Sequence, residues 1–138
     1  FSTKHFEIKT SEIKNSGMGV FSLRNFKEND VLREYKGILL TPEEYKGSSH
    51  EYSFYVWQID DENDEIIGYI DAEDLESSNW TRFVNCPMNK KQENVVIATK
   101  NKKLFYVAKT PIKKGEELFV WYGSEFGLLL TNKDIYEE

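Results

Sequence analysis

Two stretches of the chain set residues capable of chemistry beside residues that break regular structure. The first, Asn79-Trp80-Thr81-Arg82-Phe83-Val84-Asn85-Cys86-Pro87, places two aromatics and a valine next to an asparagine and the only cysteine, then stops at a proline. Apolar neighbours imply burial, and a buried amide without partners costs about 1 to 3 kcal/mol. Asn85 must therefore take its hydrogen bonds from folded backbone or from a bound ligand. The second stretch, Ser16-Gly17-Met18-Gly19, is a glycine turn. It is either plain punctuation or a loop whose bare backbone lies close against a small ligand, which glycine permits because it has no side chain. A dinucleotide fingerprint needs a third glycine and a following helix; the strand-like Val20-Phe21-Ser22-Leu23 follows instead, so that reading is excluded. Metal chemistry finds little support. One cysteine with His5 and His50 makes no zinc cluster, and the acids of 60–65 lack the glycine and the ligand order of a calcium loop.

The elements that must position these residues are mostly strands. Phe6 and Ile8 alternate with polar residues, and Asn29-Asp30 reads as a turn before a strand-rich run from Val31 to Leu40 around Tyr35-Lys36-Gly37. Thr41-Pro42-Glu43-Glu44 supplies an N-cap, a proline at the first helical position and early acids, so a short helix starts there and ends at Gly47-Ser48-Ser49. Tyr52 to Ile59 is the most aromatic segment, with rings falling on both faces, and reads as a strand in the middle of the core. Asp60 to Glu65 is a solvated acidic turn, and Ile66 to Asp71 is its return strand. One or two helical turns are expected around Asn79 to Val84. Val95 to Thr99 and Leu104 to Ala108 flank Asn101-Lys102 as a hairpin; Pro111 and Lys114-Gly115 turn the chain into Leu118-Phe119-Val120-Trp121-Tyr122-Gly123. A short helical turn and a polar tail follow from Ser124. Many short strands and little helix make this a mainly β fold.

Composition narrows the class. A chain of 138 residues supports one domain, 1–138, and opening on Phe1 it reads as a piece excised from a longer chain. With 18 basic and 24 acidic residues the net charge is −6, which argues against nucleic acid as the main partner and favours steering of basic peptides. No apolar run approaches the roughly 18 residues needed to span a bilayer, and the lone cysteine fits a reducing, intracellular compartment. No membrane partner is expected.

Four motifs stand in one order: Ser16-Gly17-Met18-Gly19-Val20-Phe21, Tyr52-Ser53-Phe54, Asn79 to Cys86, and Gly115-Glu116-Glu117-Leu118-Phe119-Val120-Trp121-Tyr122-Gly123. Together, over about Ile13 to Leu130, they resemble the PR/SET domain, a branch of the SET-type protein lysine methyltransferases usually found ahead of zinc-finger arrays. Within it the chain is most similar to the meiotic recombination-hotspot branch, which modifies a lysine in the tail of histone H3. The resemblance implies a SET β-fold of small curved sheets with short helices and a carboxyl-terminal pseudoknot, and a monomeric, nuclear, S-adenosyl-L-methionine-dependent enzyme that adds methyl groups to a histone tail. It implies that Ser16, Gly17 and Met18 contact the cofactor through their backbone, and that Tyr52, Asn85 and Cys86 complete its pocket. Tyr122 matches the active-site tyrosine. Tyr35 and Tyr106 match the tyrosines of the lysine channel, while Glu51, Tyr52, Ser53, Phe54 and Tyr55 run beside the peptide. The chain departs from SET enzymes outside this branch in carrying Val84-Asn85 where they carry Asn-His, and in having no cysteine-rich module after the motifs. The alternative within the same branch is a weak or inactive PR module that recruits other chromatin proteins through its acidic loop.

The residues suit the implied chemistry. Methyl transfer from a sulfonium to lysine needs a neutral amine, yet with a reference pKa of about 10.4 lysine is mostly protonated at neutral pH. A narrow aromatic channel attracts the cation and then disfavours its charge. Phe54, Tyr55, Tyr106 and Tyr122 offer flat walls and phenols for that purpose, and the Tyr122 phenol is expected to act through position rather than as a strong base.

Overall fold

The computed structural model describes residues 4–121. Its strands are β1 (Phe6–Thr10), β2 (Met18–Ser22), β3 (Val31–Glu34), β4 (Ile38–Leu40), β5 (Val56–Asp60), β6 (Ile66–Asp71), β7 (Val95–Lys100) and β8 (Lys103–Ala108). One short helix, α1 (Pro42–Tyr45), and the 3-10 turns Ser49–Tyr52, Trp80–Phe83 and Lys90–Gln92 complete the described elements. The strands form three antiparallel sheets, ordered β1-β2, β3-β8-β7 and β4-β6-β5. This is a mainly β fold, as expected.

Local chemistry explains the hairpins. Asn101 and Lys102 both take positive φ, 51° and 62°, the paired left-handed geometry that matches strand twist in a two-residue turn. In the acidic turn, Asp61 Oδ1 accepts from the amides of Asn63 at 2.8 Å and Glu65 at 3.0 Å, so one carboxylate organises the loop that joins β5 to β6. Helix α1 is only a single turn, held by a complete capping box in which Glu44 N–H donates to Thr41 Oγ1 at 3.1 Å and Thr41 N–H to Glu44 Oε1 at 2.9 Å.

The core lies where the three sheets meet. Phe6 from β1 stacks on Trp80 at 4.1 Å and on Phe26 at 5.2 Å, and Leu32, Ile59, Leu104 and Val95 are buried around them. Residues 117–120 close it. Phe21 bridges Glu117, Asn85 bridges Phe119 and Val95 bridges Val120, so one short segment pairs with three others far away in sequence. Leu118, between two of those bridges, and Val120, in the last of them, are fully buried, each contributing about 1.5 to 3 kcal/mol of apolar transfer. The rest of the expected pseudoknot and the expected carboxyl-terminal helical turn lie outside the described residues.

The aromatic segment corrects the sequence reading. Tyr52 to Ile59 is not a central core strand: Ser49–Tyr52 is a 3-10 turn, pairing begins only at Val56, and β5 is an edge strand. Tyr52 is 85% and Phe54 94% exposed. The reason is that polar hooks occupy the run before the ladder starts. Ser48 caps the turn through His50 N–H, and Ser53 Oγ donates to Asp71 at 2.7 Å.

Candidate functional site

The glycine turn and the asparagine stretch meet. Ser11 N–H donates to Gly17 C=O at 2.8 Å, and Asn15 and Gly17 both take φ of 66°, which folds 11–17 into a tight link between β1 and β2. A Cβ on Gly17 would meet nothing within 4 Å, so glycine serves the left-handed backbone there, and that side of the loop is open. Asn85 Nδ2 donates to the Met18 carbonyl at 2.9 Å, fixing the stretch after the Trp80–Phe83 turn to the first residue of β2. The backbone of Asn85 is held as well, its carbonyl accepting from Val120 N–H at 3.0 Å. Asn85 thus draws its hydrogen bonds from folded backbone at these atoms. Met18 is 44% exposed beside it, and Cys86 is a half-buried free thiol.

Beneath this junction lies Glu117, a motif residue to which the sequence alone assigns no role. The residue is 2% exposed, and its carboxylate is bonded to Ser11 Oγ at 2.7 Å, Glu12 N–H at 2.8 Å and, at the limit of 3.5 Å, Asn85 Nδ2. Gly19 makes room for it: an added Cβ would fall 2.9 Å from Glu117 Cδ and 3.3 Å from Asn85 Nδ2. The second glycine of the turn is therefore required by close approach, where the first is required by backbone conformation. No local pattern signals it: Glu117 and Leu118 are both buried, which breaks the alternation a strand would show.

The two tyrosines expected in a channel also come together. Tyr35 follows β3, where its N–H donates to Leu104 C=O at 2.7 Å, and Tyr106 lies in β8; both rings are buried, with centroids 5.4 Å apart. Tyr35 Oη donates to the Tyr55 carbonyl at 2.6 Å, and Tyr106 Oη accepts from Trp57 Nε1 at 3.1 Å. Trp57, which carried no assignment from sequence, thereby links the β4-β6-β5 sheet to the β3-β8-β7 sheet. Tyr55 is half-buried with the Arg82 guanidinium 4.2 Å above its ring. Arg82 is held in turn by the carbonyls of Ala72 and Glu73, at 2.8 and 3.1 Å.

The peptide-side segment is anchored rather than loose. Asp71, buried at the end of β6, accepts from Ser53 Oγ at 2.7 Å and Glu73 N–H at 3.0 Å and lies 2.6 Å from His50 Nδ1. Ser53 Oγ then accepts from Tyr55 N–H at 3.1 Å, and Ala72 N–H donates to Tyr55 C=O at 3.0 Å. Phe54 therefore projects outward between two tethered neighbours. Glu51 accepts from Gly47 N–H. Tyr52 stands apart: no described hydrogen bond or ring contact links it to the glycine turn, and its 3-10 turn packs toward α1. Tyr122 lies outside the described residues, as does Gly123.

Three small antiparallel sheets, a carboxyl segment clamped between three others, and a glycine turn tied to an Asn-Cys stretch define a SET-type domain. The methyltransferase domain of human PR domain-containing protein 2 superposes with a TM-score of 0.68 at 25% identity, covering 90% of this chain and 80% of that one. A humanized mutant of the Chaetomium thermophilum Polycomb Repressive Complex 2, bound to the inhibitor GSK343, matches with the same score at 25% identity, over 91% of this chain and 16% of that one. The family described as PR domain zinc finger protein 2, PR domain, matches residues 6–133, and the chain belongs to this PR-domain family. Among sequence relatives, the histone-lysine N-methyltransferase set-17 of Caenorhabditis elegans is 34% identical over 122 residues, 88% of this chain and 42% of its own length. The human histone-lysine N-methyltransferase PRDM7 is 30% identical over 125 residues, 87% of this chain and 23% of its own length. The chain thus spans less than half of these relatives, and the hotspot branch is not singled out among them.

Proposed function

We propose that the chain is an S-adenosyl-L-methionine-dependent protein lysine N-methyltransferase acting on a histone tail, with histone H3 as its substrate and the nucleus as its place of work. The observation that carries this reading is the hydrogen bond from Asn85 to the Met18 carbonyl, which joins two motifs 67 residues apart into one cradle. The open face at Gly17, the exposed Met18 and the half-buried Cys86 fit a cofactor laid along backbone. The names of the relatives as histone-lysine N-methyltransferases support the activity, and a S-adenosylmethionine-bound Polycomb complex of the same fold supports the cofactor.

When bound, the cofactor supplies an electrophilic methyl group on a sulfonium. The chain's own residues do the rest. Ser16, Gly17, Met18, Asn85 and Cys86 hold the cofactor side, with Tyr52 assigned there on the motif alone. Tyr35 and Tyr106 present buried rings held in place by Tyr55 and Trp57, a wall that excludes water from an incoming lysine and disfavours its charge. Glu51, Ser53, Phe54 and Tyr55 flank the peptide on a segment anchored by Asp71. Tyr122 is assigned the role of orienting the amine. A net charge of −6 favours encounter with a basic tail.

Labelled S-adenosylmethionine incubated with the chain and recombinant histones tests the reading. Transfer to H3, lost in Tyr122→Phe, is the expected result. A folded chain that transfers nothing, and shows no heat of binding with the cofactor, would sink it in favour of a recruiting module.

A further inference from the structure

The carboxylate of Glu117 is buried, and among the described residues its partners are neutral groups: a serine hydroxyl, a backbone amide and, at longer range, a side-chain amide. The Glu12 amide and the Asn85 side-chain amide each call for a lone pair on Glu117, and the Ser11 hydroxyl is free to donate a third bond to it. Among the described residues no ion pair to Glu117 is seen, whereas the buried carboxylates of Asp71 and Glu93 are paired with His50 and Lys109. Burying an ion without a counter-ion is costly, and dipoles offset only part of that cost. The charge also stands directly behind the proposed cradle. Glu117 Oε2 lies 3.5 Å from Asn85 Nδ2, the atom that holds Met18, and its carboxylate fills the space left by Gly19.

We propose that Glu117 is a specificity-determining residue that makes the cofactor site favour the cationic sulfonium of S-adenosylmethionine over the neutral thioether of S-adenosylhomocysteine, so that the charge lost in the reaction helps release the spent product. The proposal rests on the cofactor reading above. Glu117 touches neither substrate nor reacting atoms in this account; it acts by its field through a low-dielectric interior, where a fixed charge is weakly screened.

Titration calorimetry on the full chain decides it. Glu117→Gln keeps the shape and an oxygen to accept from Glu12 N–H, but removes the charge. Ser11→Ala removes one donor and keeps the charge. Glu117→Gln should lower the ratio of S-adenosylmethionine to S-adenosylhomocysteine affinity by about tenfold, the scale of one partly screened charge pair, while Ser11→Ala leaves the ratio unchanged. A Glu117→Gln protein that weakens both ligands equally, or a Ser11→Ala protein that shifts the ratio as much, overturns the proposal and assigns Glu117 a purely structural role. A wild-type chain that binds neither ligand defeats the cofactor reading itself, which is a separate outcome. Should Glu117→Gln fail to fold by its thermal melt, Glu117→Asp, which keeps the charge, still decides: a sulfonium preference retained there supports the charge, and a preference absent in wild type or lost in Glu117→Asp overturns it.

Discussion

Trp57 Nε1 donates to the phenol oxygen of Tyr106 at 3.1 Å, and this bond joins an edge strand of one sheet to the middle strand of another. Each residue gains its orientation from the other. The rigidity of the proposed channel wall therefore depends in part on the contact between two sheets.

Trp57→Phe should keep the apolar bulk and lose the bond. The expected cost in stability is about 0.5 to 1.5 kcal/mol, read from the shift in denaturant midpoint. In the transfer assay the KM for peptide should rise several-fold while cofactor affinity stays at the wild-type value, because the bond lies on the tyrosine side of the site.

The two glycines of the turn should fail differently when replaced by alanine. Gly17→Ala meets open space and suffers only left-handed strain, about 1 kcal/mol in the thermal melt. Gly19→Ala pushes its new methyl into Glu117 and should cost more. In a Glu117→Ala background the obstacle is gone, so the double variant should be hardly worse than Glu117→Ala alone; strict additivity of the two losses would contradict the geometry.

Tyr45 carries an alkaline signature. Burial lifts its phenol above the ordinary value of 10.0, and the neighbouring Tyr69, Glu51 and Asp71 push the same way. Its folded pKa is raised, so the stability it contributes is fully present below the unfolded value and is lost as pH rises through the folded one. The melting temperature should fall above about pH 10, and Tyr45→Phe, which keeps the ring stacked 3.8 Å from Tyr69, should flatten that fall without changing the melt at neutral pH.

What could be read in the chain before its coordinates was whatever local chemistry decides. Asn101-Lys102, Thr41-Pro42 and Asp60 to Glu65 each specify their own turn or cap within a few residues, and each appears where expected. The meeting of Tyr35 with Tyr106, and of the glycine turn with Asn85, followed from motif resemblance and not from any local pattern. Sequence could not show that Glu117 turns inward while Glu116 stays outside, because the choice is made by a bridge to Phe21, nearly a hundred residues earlier. Aromatic content misleads at Tyr52 and Phe54, because Ser48 and Asp71 hold that run out of the ladder. Asp71 itself looked like the plain end of a strand.

The clamp formed by residues 117–120 governs the order of events during synthesis. The hairpins need only nearby partners and can form as they leave the ribosome, but the contacts to Phe21, Asn85 and Val95 wait until the last of these bridging residues has emerged. Until then the loop at 11–19 lacks its carboxylate anchor, and the nascent protein carries every early motif before the proposed cradle is assembled. Closing loops of this span slows maturation more than it weakens the finished fold.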